Sequence, residues 1–336
     1  MVDIAKKKKT AYNFKTIFRG ETLRIVGFDM HKPNVLMTFT RRASNPPHQP
    51  FSPGLAKAYG WGFVAFVSLQ NHWWQTPELP AAFACAKEHM SGDTKIVTYG
   101  TSMGGAGAIL ASQFVDVHRC VAIAAPLIID QAYSPWEERY QDSWEGLEVL
   151  HLPDFQARQP KTTYVVYDPF YSYDNLHVRK MHEDGLKLKR LPLPFTGHVP
   201  LNEVLAVDRY RDLTESLIID GDYQASKNIL RETRDARGTF SYSHLQKNIP
   251  QDSKEFDDII TAISNLIKAH GRQDFLVEGR AERLFSAERY AEAHADYADL
   301  FERTKRKKFL KLMRKSEILA SRQGGVKIVG SARAAS

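Results

Sequence analysis

Only two cysteines, Cys85 and Cys120, occur in 336 residues. A disulfide-stapled scaffold is excluded, and the pair is too far apart for a Cys-x-x-Cys zinc site. No His-Glu-x-x-His pattern is present either, so neither familiar zinc signature is found. The glycine-rich GTSMGGAG lacks both the following lysine and the Gly-x-Gly-x-x-Gly spacing of phosphate loops, which argues against nucleotide binding. Long apolar runs are also missing. The most apolar stretch, Ile96 to Ile129, is broken by Asp116, His118 and Arg119. The amino terminus, MVDIAKKKKTAYNF, carries the positive charge of a signal peptide without its apolar segment. The expectation from these absences is a soluble, cytoplasmic protein that needs no metal and no cofactor.

Acidic residues are in deficit, 39 against 46 Lys and Arg, for a formal net charge of +7. Such a balance attracts polyanions and anionic membranes at long range without specifying a fold. Nucleic acid is not favoured as a partner. What the chain has in quantity is apolar material, 43% hydrophobic and 11% aromatic, enough to bury a real core.

From residue 13 to 205, strand-like runs alternate with amphipathic segments. NFKTIFRG and TLRIVGFD form a leading pair without a helix between them, and NVLMTFTRRA is the next strand. GFVAFVSLQ, KIVTYG, CVAIAAPLII, TTYVVYD and LKLKRLPLPF follow as strands. Helices are expected in SPGLAKAYG, ELPAAFACAKEHM, GGAGAILASQF, NLHVRKMHEDG and LNEVLAVDRYRDL, and residues 135–150 have helical charge spacing. Alternation of this kind implies parallel βαβ units in a doubly covered sheet, with the leading pair as an antiparallel edge. The expected class is therefore α/β, with a doubly wound and mostly parallel sheet.

After residue 206 the strand signals fade and apolar residues recur at three- and four-residue spacing, so an all-α region is expected over 206–323. Residues 1–12 and 324–336 are expected to be flexible. ERYAEAHADYADLFE weakly resembles a helix of a tetratricopeptide-type repeat, which makes protein partners or oligomerisation through these helices an expectation. Residues 303–315, RTKRKKFLKLMRK, read as one basic amphipathic helix that offers contact with an anionic membrane surface.

The chemistry concentrates in IVTYGTSMGGAGAILAS, residues 96–112. Gly100 and Gly104 flank Ser102 at a two-residue distance, between an apolar run and a helix-forming one. A Gly-x-Ser-x-Gly pattern in that context places serine on a sharp strand-to-helix turn with its hydroxyl above the sheet edge. On these residues the chain resembles the α/β-hydrolase family.

The resemblance implies a serine hydrolase acting on an ester or related acyl bond of a small-molecule or polymer substrate. It also implies a triad in the chain order serine, acid, histidine. Ser102 would be the nucleophile, and His198, in FTGHVPLNE, the base. Two acids follow the strand TTYVVY: Asp168 directly ends it and is favoured, whereas Asp174 reads as the N-cap of the next helix. The oxyanion would be held by the Met103 backbone N–H and by Arg41, or its neighbour Thr40, after the third strand. Family members often carry His-Gly there, and this chain has FTRRAS. Trp73 and Trp74 are expected to line the acyl site. Arg42, with Arg41, is available to an anionic part of a substrate. Tyr133, Trp136, Tyr140 and Trp144 lie where the family places its lid, which would be small. Two other readings stand beside hydrolysis: acyl transfer with the same residues, and a hydrolase-like binding module acting through its helical region.

Overall fold

The computed structural model describes residues 12–43, 49–144, 147–194, 196–237, 256–270, 272 and 274–324. Apart from residues 12 and 324, the two tails expected to be flexible lie outside these. Eight strands form one sheet: β1 Lys15–Arg19, β2 Leu23–Phe28, β3 Asn34–Phe39, β4 Gly62–Ser68, β5 Lys95–Thr101, β6 Val117–Ile123, β7 Thr163–Tyr167 and β8 Leu188–Pro192. Their order is β1-β2-β4-β3-β5-β6-β7-β8. β2 runs antiparallel to both β1 and β4, and the pairs from β4 to β8 are parallel. This order, with its antiparallel leading edge, is an α/β-hydrolase-like fold.

Successive side chains of the inner strands serve opposite faces, because the period of a strand is two. In β4, Val64 and Phe66 join one core cluster and Phe63, Ala65 and Val67 the other. Both faces are apolar because both are covered. The first is packed by α2 Leu79–Glu88, α3 Met103–Leu110 and α5 Ser172–Glu183. The second is packed by α1 Pro53–Ala58, α6 Pro200–Ala206, α7 Tyr210–Thr214, a π-helical turn Glu215–Asp220 and α8 Tyr223–Arg237. Each fully buried Val, Leu or Phe in these layers contributes roughly 1.5–3 kcal/mol.

Two segments differ from their sequence patterns. Among the described residues of 135–150 the only helix is α4, Gln141–Trp144; Glu137 and Arg139, two of the charges that mimic helical spacing, enter an ion-pair network described below. LNEVLAVDRYRDL is not one helix but α6 and α7, parted where Asp208 takes φ 57°.

The chain divides into two compact units, Met1–Thr233 and Arg234–Ser336. The division lies beyond the 205/206 boundary expected from sequence, because Leu213, Leu217, Ile218 and Leu230 are buried in the second sheet-face core. The carboxyl-terminal unit comprises α9 Phe256–His270, α10 Asp274–Ser286, α11 Tyr290–Thr304 and α12 Lys307–Gly324, each packed on the next. Its own core includes Ile259, Ile263, Leu276, Tyr297, Leu300 and Phe309. The basic stretch 303–315 is broken at Lys305, which takes the left-handed conformation at φ 55°. Phe309 is fully buried, and Leu312 and Met313, partly buried, pack against the same core.

Candidate active site

Ser102 sits between the end of β5 and the start of α3 at φ 55° and ψ −127°, a region a side-chain-bearing residue adopts only when its surroundings enforce it. Its N–H donates to the Ile123 carbonyl at 2.9 Å, and its own carbonyl accepts from the Gly105 and Ala106 N–H groups at 2.8 and 3.2 Å. The flanking glycines are needed for closeness. A Cβ on Gly100 would lie 2.0 Å from the Gly104 carbonyl oxygen, and one on Gly104 would lie 2.3 Å from that of Phe39. Every residue of α3 is buried, which accounts for its glycine and alanine content.

His198 stands on the loop between β8 and α6. Its Nε2 is 2.8 Å from the Ser102 hydroxyl, and its Nδ1 is 3.0 and 2.9 Å from the two carboxylate oxygens of Asp174. A carboxylate only accepts, so Nδ1 carries the proton and Nε2 presents its lone pair to the serine. The residue that meets the histidine is thus Asp174, not Asp168. Asp174 lies within the first turn of α5, where the helix dipole favours a negative charge, and it is 1% exposed. It is not the N-cap residue; that position is taken by Tyr171.

Asp168, also buried, holds backbone instead. Its carboxylate accepts the Thr196 and Gly197 N–H groups at 2.8 Å each and the Phe170 N–H at 2.9 Å. With those acceptors occupied it clamps the loop immediately before His198. A position at a strand end satisfied the sequence pattern, but the side chain's hydrogen bonds are all to backbone.

The Met103 N–H opens α3, where a helix leaves its first amides without intrahelical partners. The close approach of Gly104 to Phe39 brings the segment after β3 against this turn. The Thr40 N–H donates to Phe66 at 3.2 Å and is therefore already engaged, which favours Arg41 of the two. Trp73 and Trp74 do not line an open acyl site, since both are 0% exposed. Their indole N–H groups donate to the carbonyls of Pro126 at 2.9 Å and Met103 at 2.7 Å, so Trp74 supports the turn from behind. Arg42 pairs with Asp142 and donates to the Ser143 hydroxyl at 3.3 Å, which ties the β3 loop to α4.

The insertion after β6 supplies side chains the sequence pattern did not assign to the site. Arg139 donates to Asp174 at 2.9 Å and to both carboxylate oxygens of Glu137 at 2.9 and 2.6 Å. Its guanidinium lies 5.0, 5.3 and 4.8 Å from the rings of Tyr140, Tyr171 and Tyr173. Glu137 also accepts from His177 at 2.9 Å. Burial opposes its ionisation, yet the His177 and Arg139 hydrogen bonds bring its pKa down to about 2. Tyr140 places its hydroxyl 3.1 Å from His198 Nε2, with its ring 4.6 Å from that of Trp73. Of Tyr133, Trp136 and Tyr140, only Tyr140 is within hydrogen-bond distance of the histidine; nothing in its spacing distinguished it.

Beside the serine and histidine opens a cleft of about 530 Å³. Thr101 and Val199, the chain neighbours of Ser102 and His198, belong to its wall, with Phe51, Leu201 and Leu205 as apolar lining and Arg41 and Gln49 as polar lining. Cys120 is buried, and burial raises its thiol pKa to about 12; neither cysteine is disulfide-bonded. Among the described residues no group of three or more His, Cys, Asp or Glu side chains is placed to hold a metal ion. No described helix is long and apolar enough to cross a membrane.

No family model matches the chain, and no curated protein matches it. Among solved structures it is similar to the capsule O-acetyltransferase of Neisseria meningitidis serogroup A, at 15% identity and TM-score 0.44, covering 63% of this chain and 96% of that one. A hormone-sensitive lipase from a metagenome library aligns at 13% identity and TM-score 0.38, over 67% of this chain and 85% of that one. Acetyl xylan esterase 1 from Thermoanaerobacterium sp. JW/SL YS485 aligns at 12% identity and TM-score 0.38, over 60% and 88% respectively.

Proposed function

We propose that the chain is a serine hydrolase that cleaves an ester or related acyl bond through an acyl-enzyme. One observation carries this reading: a serine in a strained turn, 2.8 Å from a histidine nitrogen whose other nitrogen is 2.9 Å from a buried carboxylate. Ser102 attacks the acyl carbon as His198 takes its proton, and Asp174 fixes the imidazole tautomer and stabilises its cation. The Met103 and Arg41 backbone N–H groups receive the developing oxyanion. His198 returns the proton to the leaving atom, and water then releases the acyl group by the same steps in reverse. The cleft walled by Phe51, Val199, Leu201 and Leu205 suits a short apolar acyl or alcohol portion.

The test is covalent labelling of the purified protein by a fluorophosphonate probe. Labelling is expected for the wild type and lost in Ser102→Ala and His198→Ala, since the probe reports a serine activated by its base. A folded wild type that takes no label would overturn the reading and leave a binding module as the better account. Acyl transfer to an acceptor other than water would use the same residues and give the same labelling; release of free acid from an ester, with no acceptor present, is the result expected of a hydrolase.

A further inference from the structure

Resting on that reading, we propose that Tyr140 is a further catalytic residue, whose O–H hydrogen-bonds the leaving oxygen as the ester breaks and so adapts the site to esters of aliphatic alcohols. The placement follows from where the proton must go. His198 delivers it from Nε2, so the leaving oxygen has to come within hydrogen-bond reach of that atom. The Tyr140 hydroxyl already lies 3.1 Å from Nε2, within reach of an oxygen that takes its proton from that atom. From there it meets the alcohol oxygen as the proton is delivered.

Three features make the phenol a fixed donor. Its side chain is nearly buried, at 8% exposure, and its ring is held between Trp73 and the guanidinium of Arg139. Burial pushes its pKa up to about 12, with the Arg139 cation and a hydrogen bond with Ser102 pulling the other way. At neutral pH it donates a hydrogen bond and keeps its proton. Arg139 itself is neutralised by Glu137 and Asp174, which leaves it as a support for the ring.

In acylation the Ser102 oxygen–carbon bond forms and the carbon–oxygen bond to the alcohol breaks. The serine proton passes through His198 to the leaving oxygen, and Tyr140 stabilises the negative charge on that oxygen before the proton arrives. An alkoxide needs this help because it is strongly basic. A nitrophenolate does not, since its ring already disperses the charge.

The experiment compares wild type and Tyr140→Phe on two esters of the same short acid, one with ethanol and one with p-nitrophenol. The variant is expected to lose about tenfold or more in kcat/KM on the ethyl ester, the worth of one such hydrogen bond, and to stay within about twofold on the nitrophenyl ester. Equal losses on both esters would overturn the proposal and make Tyr140 a packing or oxyanion residue. No loss on either would overturn it as well. The readout is a ratio on one preparation, so a variant that is only partly folded still gives it, and phenylalanine keeps the ring contacts. Fluorophosphonate labelling separates the two readings: a wild type that does not label fails as a serine hydrolase, whereas a labelled enzyme with an unchanged ester ratio fails only here.

Discussion

The Asp174 carboxylate takes hydrogen bonds from two side chains, His198 and Arg139, whereas that of Asp168 takes three from backbone amides. The two should respond differently to mutation. Asp174→Asn is expected to lower kcat by about 10³–10⁴-fold, the scale for a triad acid that no longer fixes its histidine's tautomer, with little change in the urea midpoint. Asp168→Ala leaves buried N–H groups unpaired, a loss of stability on the order of 2 kcal/mol with a smaller fall in kcat. Kinetics beside urea denaturation separates the two outcomes. His72 gives a pH prediction. Its Nδ1 accepts the Trp74 N–H at 3.0 Å and its Nε2 faces the Thr22 carbonyl at 3.1 Å, so the ring is neutral. Burial lowers its pKa from 6.5 to about 4. The unfolded chain then takes up a proton before the folded one does, and stability that is full above pH 6.5 declines as pH falls toward 4. Of a full loss on the order of 3 kcal/mol, about 2 kcal/mol falls between pH 7.5 and 5, and this difference between urea midpoints should flatten in His72→Gln. Ser102 and His198 were legible in the chain because motif and context select them. The choice between the two acids was not, because each satisfies a local pattern and only the direction of the side chain separates them.

At the scale of elements, the turn from β5 into α3 has no room for a side chain at either glycine. Gly104→Ala would place a methyl carbon 2.3 Å from the Phe39 carbonyl oxygen. Backbone on both sides must then move, and the variant is expected to lose fluorophosphonate labelling together with roughly 1–3 kcal/mol of stability; unchanged labelling would show that the turn tolerates displacement. Strands β3 to β7 were readable as continuous apolar runs, since doubly covered strands need no polar face. The insertion between β6 and β7 was not. Its charges repeat with helical spacing, yet Glu137 and Arg139 pair with His177 and Asp174 of α5, far away in sequence. Trp73 and Trp74 misled for a related reason: a position at the correct sheet edge does not say whether an indole faces the cleft or the core, and here φ 49° and 63° accompany their inward placement.

At the scale of the whole molecule, no residue among those described is shared between the sheet-face clusters and that of α9–α12. A chain ending after α8, at Arg237, is expected to fold and to label with the fluorophosphonate at the full-length rate. Loss of labelling in a soluble truncated chain would instead make the carboxyl-terminal unit necessary to the site. By itself the sequence determined the α/β class, the antiparallel leading edge, which serine and histidine lie side by side in the candidate site and the change to helices, because periodicity, turn glycines and local spacing encode them. Tertiary structure alone decided which aspartate meets His198, that Tyr140 and Arg139 enter the site, and that residues 206–233 belong with the sheet. Each of these depends on which surfaces of distant segments are buried against one another, a property that no local pattern carries.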